Sequence, residues 1–118
     1  MACAAAAVLA QTPALPPPAK PKNLQVLPKD LSTAQVVEKM RIIAASLGVK
    51  CDFCHVAGGF NKDDKDTKQI ARRMLRMVDA INKDNFSGRP EVSCYTCHRG
   101  QPRPASQLPA GKADKEGR

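Results

Sequence analysis

KCDFCHV (residues 50–56) and SCYTCHR (residues 93–99) write one pattern twice, Cys-x-x-Cys-His. The two copies take four of the five cysteines and both histidines of a 118-residue chain. Two residues between the cysteines set them under the two vinyl groups of a haem, where their thiols form thioether bonds. A histidine directly after the second cysteine then reaches the iron from the same face, so the pattern reads as c-type haem attachment. Cys51, Cys54, Cys94 and Cys97 are the expected attachment residues, with His55 and His98 the iron ligands. The expected cofactors are two haem c groups.

Other chemistries use paired cysteines. A structural zinc site could combine Cys51/Cys54 with Cys94/Cys97. The pairs are further apart than in zinc ribbons, however, and zinc gives no reason for a histidine after each pair. Disulfides in an exported protein are a second alternative. A redox dithiol is a third, but no βαβ pattern surrounds either motif.

Outward from the motifs, the chain repeats its organisation. Ser32 is an expected N-cap, with Gln35 completing a capping box and Leu31 and Val36 placed as a hydrophobic staple. Val36, Met40, Ile43 and Leu47 follow helical spacing, and Gly48 is a natural stop. This predicts a helix over residues 33–47 that leads into the first motif. The charged loop GGFNKDDKD (58–66) follows. Asp66 or Thr67 is expected to cap a second helix, with a stripe of Ile70, Met74, Met77 or Val78, and Ile81, ending near Lys83. NKDNFSGRPEVS (82–93) reads as a loop into the second motif, broken by Gly88 and Pro90.

Both ends differ from this middle. MACAAAAVLAQTPALPPPAKPK (1–22) joins a short apolar run to a Pro- and Lys-rich stretch. It reads as a signal remnant followed by an extended linker over residues 1–23. Cys3 lies within it and receives no role. Residues 24–104 form the expected dihaem domain, and 105–118 a flexible polar tail.

Composition limits the alternatives. Aromatics are only 3% and Trp is absent, so the chain has few large rings with which to fill a core. A flat, mostly apolar haem fits such a sequence. The formal charge is +8, but bases and acids are mixed and no basic run is interleaved with aromatics, which argues against nucleic acid. Haem propionates would cancel about four of these charges. No apolar run reaches the roughly 18 residues of a membrane span. The lysine-rich surface suits an acidic partner or an anionic membrane, and the expected partners are redox proteins, a membrane-bound electron-transfer complex among them.

The second face of each iron needs a ligand, and no third histidine exists. Methionine thioether is the usual alternative and raises the potential relative to histidine. Met40 lies on the first expected helix, and Met74 and Met77 on the second. A haem left open on that face would point instead to a peroxidase-type enzyme, but no spare acid–base group stands near either motif.

MRIIAASLGVKCDFCH (40–55), ARRMLRMVDAIN (71–82) and VSCYTCHRGQPRP (92–104) resemble the tetrahaem cytochrome subunit of purple-bacterial photosynthetic reaction centres. The similarity covers residues 24–104. It implies a mostly α fold, a small multihaem c-type cytochrome of two helix–loop–Cys-x-x-Cys-His units, and electron transfer rather than catalysis. It implies export to the periplasm or bacterial cell envelope, since haem is joined to apocytochrome outside the cytoplasmic membrane. It also implies Met40 as the sixth ligand of the first haem and Met74, directly after Arg72-Arg73, as that of the second. Met77 is the alternative for the second haem. The two motifs here match half of the four-haem fold. In the family, the loop matching 82–93 carries a histidine for a distant haem, and here it carries none.

Overall fold

A computed structural model describes residues 19–110. The expected signal remnant with Cys3, and the last part of the polar tail, lie outside the described residues. Within them the chain is helical: α1 (Thr33–Leu47), a 3-10 turn (Cys51–Phe53), α2 (Asp66–Phe86) and a short α3 (Cys94–His98). Among the described residues no helix is long and apolar enough to cross a membrane.

α1 begins and ends where its residues predict. Ser32 Oγ accepts from the Gln35 backbone N–H at 3.2 Å, and Gln35 Oε1 accepts from the Ser32 N–H at 2.8 Å. These bonds satisfy two amides that the first helical turn leaves free. At the other end Gly48 adopts a left-handed conformation (φ 64°) and its N–H caps the final turn.

α2 departs from expectation at both ends. Lys65 occupies the N-cap position without a side-chain cap bond. The Thr67 hydroxyl donates instead to the Phe53 carbonyl at 2.5 Å, and the Lys65 ammonium donates to the Asp52 carbonyl. Thr67, one of the two residues expected to cap the helix, thus joins Lys65 in docking its first turn onto the first motif. The helix then runs past Lys83 to Phe86. Asn82–Phe86 has no helix breaker, and the chain first reaches a left-handed residue at Ser87 (φ 55°), whose N–H caps the Asn82 carbonyl.

The second motif is itself helical, which spacing alone did not indicate. Ser93 stands at its N-cap and donates its N–H to Thr96 Oγ1 at 2.9 Å. The two copies of one sequence pattern thus fold differently, one as a 3-10 turn and one as a turn of α-helix.

α1 packs against α3, so the helix before the first motif supports the second motif. The crossing is fixed by backbone. Gly100 N–H donates to the Ser46 carbonyl at 2.8 Å, and Ser46 is itself buried. A Cβ on Gly48 would stand 2.1 Å from the Gly100 carbonyl oxygen. Glycine is therefore required at 48 for close approach as well as for its positive φ.

The interior of the polypeptide is polar. Apart from Gly59, the buried residues are Ser46, Arg72 and Asn82, all polar or charged, and among the described residues no hydrophobic side chain is buried to that degree. Each of the three is hydrogen-bonded: Ser46 Oγ to the Ile42 carbonyl, Arg72 to the Asn23 carbonyl, and Asn82 to both the N–H and the carbonyl of Val92. The expected α2 stripe is present in register but only partly covered: Ile70, Met74 and Met77 are 44%, 39% and 46% exposed, whereas Val78 and Ile81 are half-buried.

Gly48→Ala is expected to destabilise the protein by about 3 kcal/mol, combining left-handed strain with a backbone clash. Gly88→Ala, at φ 79° with open space around its Cβ position, should cost about 1 kcal/mol. Urea unfolding followed by far-UV circular dichroism compares the two.

Candidate haem-binding site

Each histidine is held by one backbone carbonyl. His55 Nδ1 lies 2.9 Å from the Phe60 carbonyl oxygen, and His98 Nδ1 lies 2.8 Å from that of Gln101. A carbonyl oxygen can only accept, so Nδ1 carries the proton in both rings. In a neutral imidazole this leaves the Nε2 lone pair free to bind a metal. Burial, helped by the nearby positive charges of Lys68, Arg72 and Lys65, lowers the His55 pKa and favours that neutral form, against the opposing bond to Phe60.

The two carbonyls arrive by different routes. After His55 a tight turn closes with Gly59 N–H on the Val56 carbonyl at 2.9 Å, bringing Phe60 back to the ring. The Phe60 ring packs on His55 at a centroid distance of 5.4 Å. After His98 the chain reverses at Arg99 (φ 51°) and Gly100 (φ 82°), and Gln101 N–H returns to the His98 carbonyl at 3.0 Å. The Arg99 guanidinium lies 5.9 Å from the centre of the Tyr95 ring. Because Gly100 is bonded to Ser46, the turn that orients His98 rests on α1.

The loop that carries Phe60 is anchored by charge. Asp63 Oδ1 is 3.0 Å from Arg72, 3.2 Å from Lys68 and 2.8 Å from Asn23 Nδ2. Asn23 Nδ2 also donates to the Asn61 carbonyl at 2.7 Å. Lys68 Nζ reaches the carbonyls of Phe60 at 2.9 Å and Lys62 at 2.5 Å. Its side chain is only 11% exposed, so the ammonium exchanges most of its water for these three acceptors.

Cys51 and Cys97 are exposed, and Cys54 and Cys94 are half-buried; all four are free thiols. Burial raises the pKa of Cys54, opposed by the Thr67 hydroxyl and Lys65, and burial likewise raises that of Cys94. Among the described residues no three Cys, His, Asp or Glu side chains converge on a common point. The pairs are neither bridged as disulfides nor gathered into a zinc cage. An open groove lined by Arg41, Ala44, Val49, Lys50, Cys51 and Asp52 runs beside the first cysteine. Met40 is half-buried on α1, whereas Met74 and Met77 lie exposed on α2.

These residues fit haem c. Each unit offers two free thiols, an imidazole with Nε2 available, and apolar side chains open to contact, including Phe53, Ile70, Met74 and Tyr95. The histidine carbonyls and the buried polar residues are the parts that motif reading missed. An Asn ten residues before Val92, or a Lys and an Arg one turn apart after an Asp, carries no spacing rule that would have exposed them.

Two tethered Cys-x-x-Cys-His units on a helical frame are the arrangement of a c-type cytochrome. A family model described as the photosynthetic reaction centre cytochrome C subunit matches residues 6–116, and the chain belongs to that family. It is 42% identical over 87 residues to the photosynthetic reaction center cytochrome c subunit of Thermochromatium tepidum, a match covering 70% of this chain and 21% of that protein. It is 36% identical over 86 residues to cytochrome c-554 of Chloroflexus aurantiacus, covering 68% and 20%. The Rubrivivax gelatinosus reaction center cytochrome c subunit is 34% identical over 87 residues, covering 70% and 23%. The chain thus spans about a fifth of the length of these relatives. Family membership makes haem c the cofactor class.

The bonds from Arg72, Asn23 and Lys68 hold the Asp63 carboxyl well below the usual carboxylate range. A depressed carboxylate pKa contributes stability that is fully present above the unfolded value, about pH 4, and is lost as pH falls through the folded value. Asp63→Asn should therefore be less stable than the parent at pH 7. The difference should shrink as pH falls below about 4, read by urea midpoints across that range.

Proposed function

We propose that this chain is a dihaem c-type cytochrome that carries electrons in the bacterial cell envelope. Cys51 and Cys54 hold the first haem and Cys94 and Cys97 the second. Each thiol adds across a vinyl double bond, its sulfur bonding one carbon and its hydrogen passing to the other. His55 with Met40 ligates the first iron, and His98 with Met74 the second. Met77, one turn beyond Met74, is the alternative donor.

The observation that carries this reading is the pair of carbonyl-bound histidines. With Nδ1 fixed on Phe60 in one unit and on Gln101 in the other, both rings keep Nε2 free for iron. Such a bond also sets ring orientation and raises the basicity of the ligand. When bound, each haem supplies a one-electron ferric/ferrous couple. The protein's own residues tether it, orient its histidine, supply a thioether on the other face, and exclude water with the apolar sides of α1 and α2. With a histidine and a methionine committed to each iron, neither haem would hold a place for a substrate, which fits electron transfer rather than catalysis.

The partners we propose are redox proteins, and a membrane-bound electron-transfer complex is among them. Two of the relatives are named as reaction-centre subunits, which supports a photosynthetic complex. The third relative is named as a cytochrome, which supports the electron-transfer role without naming a partner. Thioether attachment would require export to the periplasm or cell envelope, because haem and apocytochrome are joined outside the cytoplasmic membrane.

The deciding experiment is the haem-to-protein ratio, by pyridine haemochrome and intact mass, on protein exported from a host competent for haem c attachment. Two covalent haems per chain are expected; a colourless protein of unmodified mass would overturn the reading. In the reduced protein neither iron should bind carbon monoxide. Met40→Ala should admit one equivalent per chain and leave the other haem unchanged. Met77→Leu should leave the spectrum unaltered, whereas loss of a methionine–iron band in that variant transfers the ligand from Met74 to Met77.

A further inference from the structure

The two histidine carbonyls are not chemically equivalent. The Gln101 oxygen accepts from His98 Nδ1, and no second side-chain donor reaches it among the described residues. The Phe60 oxygen accepts two bonds, one from His55 Nδ1 at 2.9 Å and one from the Lys68 ammonium, also at 2.9 Å. Lys68 is held at this point by the Lys62 carbonyl and Asp63, and its side chain is nearly buried. It is conformationally fixed and weakly screened. The fold thus commits a largely buried lysine side chain to the oxygen that orients His55.

A carbonyl oxygen that accepts from an ammonium has less electron density to offer a second donor. The His55 Nδ1–H bond is weakened, and the imidazole keeps less of the imidazolate character that favours ferric iron. Outer hydrogen bonding of this kind is one of the protein's levers on haem potential. The lysine's positive charge acts in the same direction, because it disfavours the added charge of the ferric state.

We propose that Lys68 tunes the first haem, raising its reduction potential through the Phe60 carbonyl that it shares with His55. The proposal rests on the reading of His55 as the axial ligand of that haem. Lys68 is a positioning residue that touches neither the iron nor the porphyrin. Through it the two otherwise similar units acquire different potentials, which gives an electron a preferred resting place.

The test is a redox titration of the holoprotein, parent against Lys68→Met, paired with nitrogen–proton NMR of the histidine Nδ1–H groups in the reduced, diamagnetic state. In Lys68→Met one of the two couples should fall, its ferric-to-ferrous ratio at fixed potential rising about three- to tenfold, the size that one ordinary hydrogen bond carries. The His55 Nδ1–H should move downfield, and the His98 resonance and the other couple should stay in place. Lys62→Gln removes a charge from the same loop and should move neither Nδ1–H. Lys68→Gln keeps a neutral donor on the Phe60 oxygen and should fall between Lys68→Met and the parent. It also serves as the readout if Lys68→Met does not retain its fold.

Unchanged potentials in a variant that keeps two low-spin haems would overturn the inference while leaving the proposed function intact. A rise in potential with loss of the His55 Nδ1–H signal would also overturn it, making Lys68 a prop for the loop. Parent protein without haem on Cys51 and Cys54 would remove the proposed function and the inference together.

Discussion

The bond from a histidine Nδ1 to a backbone carbonyl is the constraint around which this small structure is arranged. A neutral histidine ring can hold its proton on either of two nitrogens, and only one choice leaves Nε2 available. The protein makes the choice twice, with Phe60 for His55 and Gln101 for His98. Each carbonyl must be brought back from further along the chain, so each motif is followed by a tight reversal. The reversals in turn need support. The first is held by the charged cluster of Asn23, Asp63, Lys68 and Arg72, and the second by the Ser46 carbonyl of α1.

This arrangement explains an interior that is polar where a globular domain is normally apolar. Fully burying an aliphatic or methionine side chain is worth about 1.5–3 kcal/mol. Ile70, Met74 and Met77 remain 39–46% exposed, so completing their burial represents about 3 kcal/mol on one face of one helix. That is a sizeable part of the 5–15 kcal/mol by which domains are normally stable. Arg72 and Asn82 take the buried side of the same helix because each fastens a neighbouring segment that has no secondary structure of its own. The polypeptide fastens its loops with polar bonds and keeps its apolar faces for the prosthetic group.

The two units are also mechanically joined. Gly48 ends the helix that leads into the first motif, and Gly100 ends the second motif. The two backbones cross so closely that no Cβ fits at position 48. A movement of α1 must therefore move the turn that holds His98. The first unit has its own support from the start of α2, through Thr67 and Lys65 on the carbonyls of Phe53 and Asp52. Each motif leans on a helix, but the helix that braces the second motif is the one that precedes the first.

Much of this protein is legible in its sequence. The proposed attachment cysteines and ligand histidines are read from local covalent geometry, because Cys-x-x-Cys-His places all three groups within one short turn. The bounds of α1 follow from Ser32, Gln35 and Gly48, whose capping bonds form between residues adjacent in the chain. Where the outcome depended on distant partners, the sequence was silent or misleading. Thr67 looked like a cap and became a tether, α2 outran its expected end, and Ile70, Met74 and Met77 of the α2 stripe were left exposed. The carbonyls of Phe60 and Gln101, the placement of Lys68 and the Gly48–Gly100 crossing belong to tertiary structure alone. Backbone oxygens carry no residue identity, and contacts between distant segments leave no period for a reader of sequence to find.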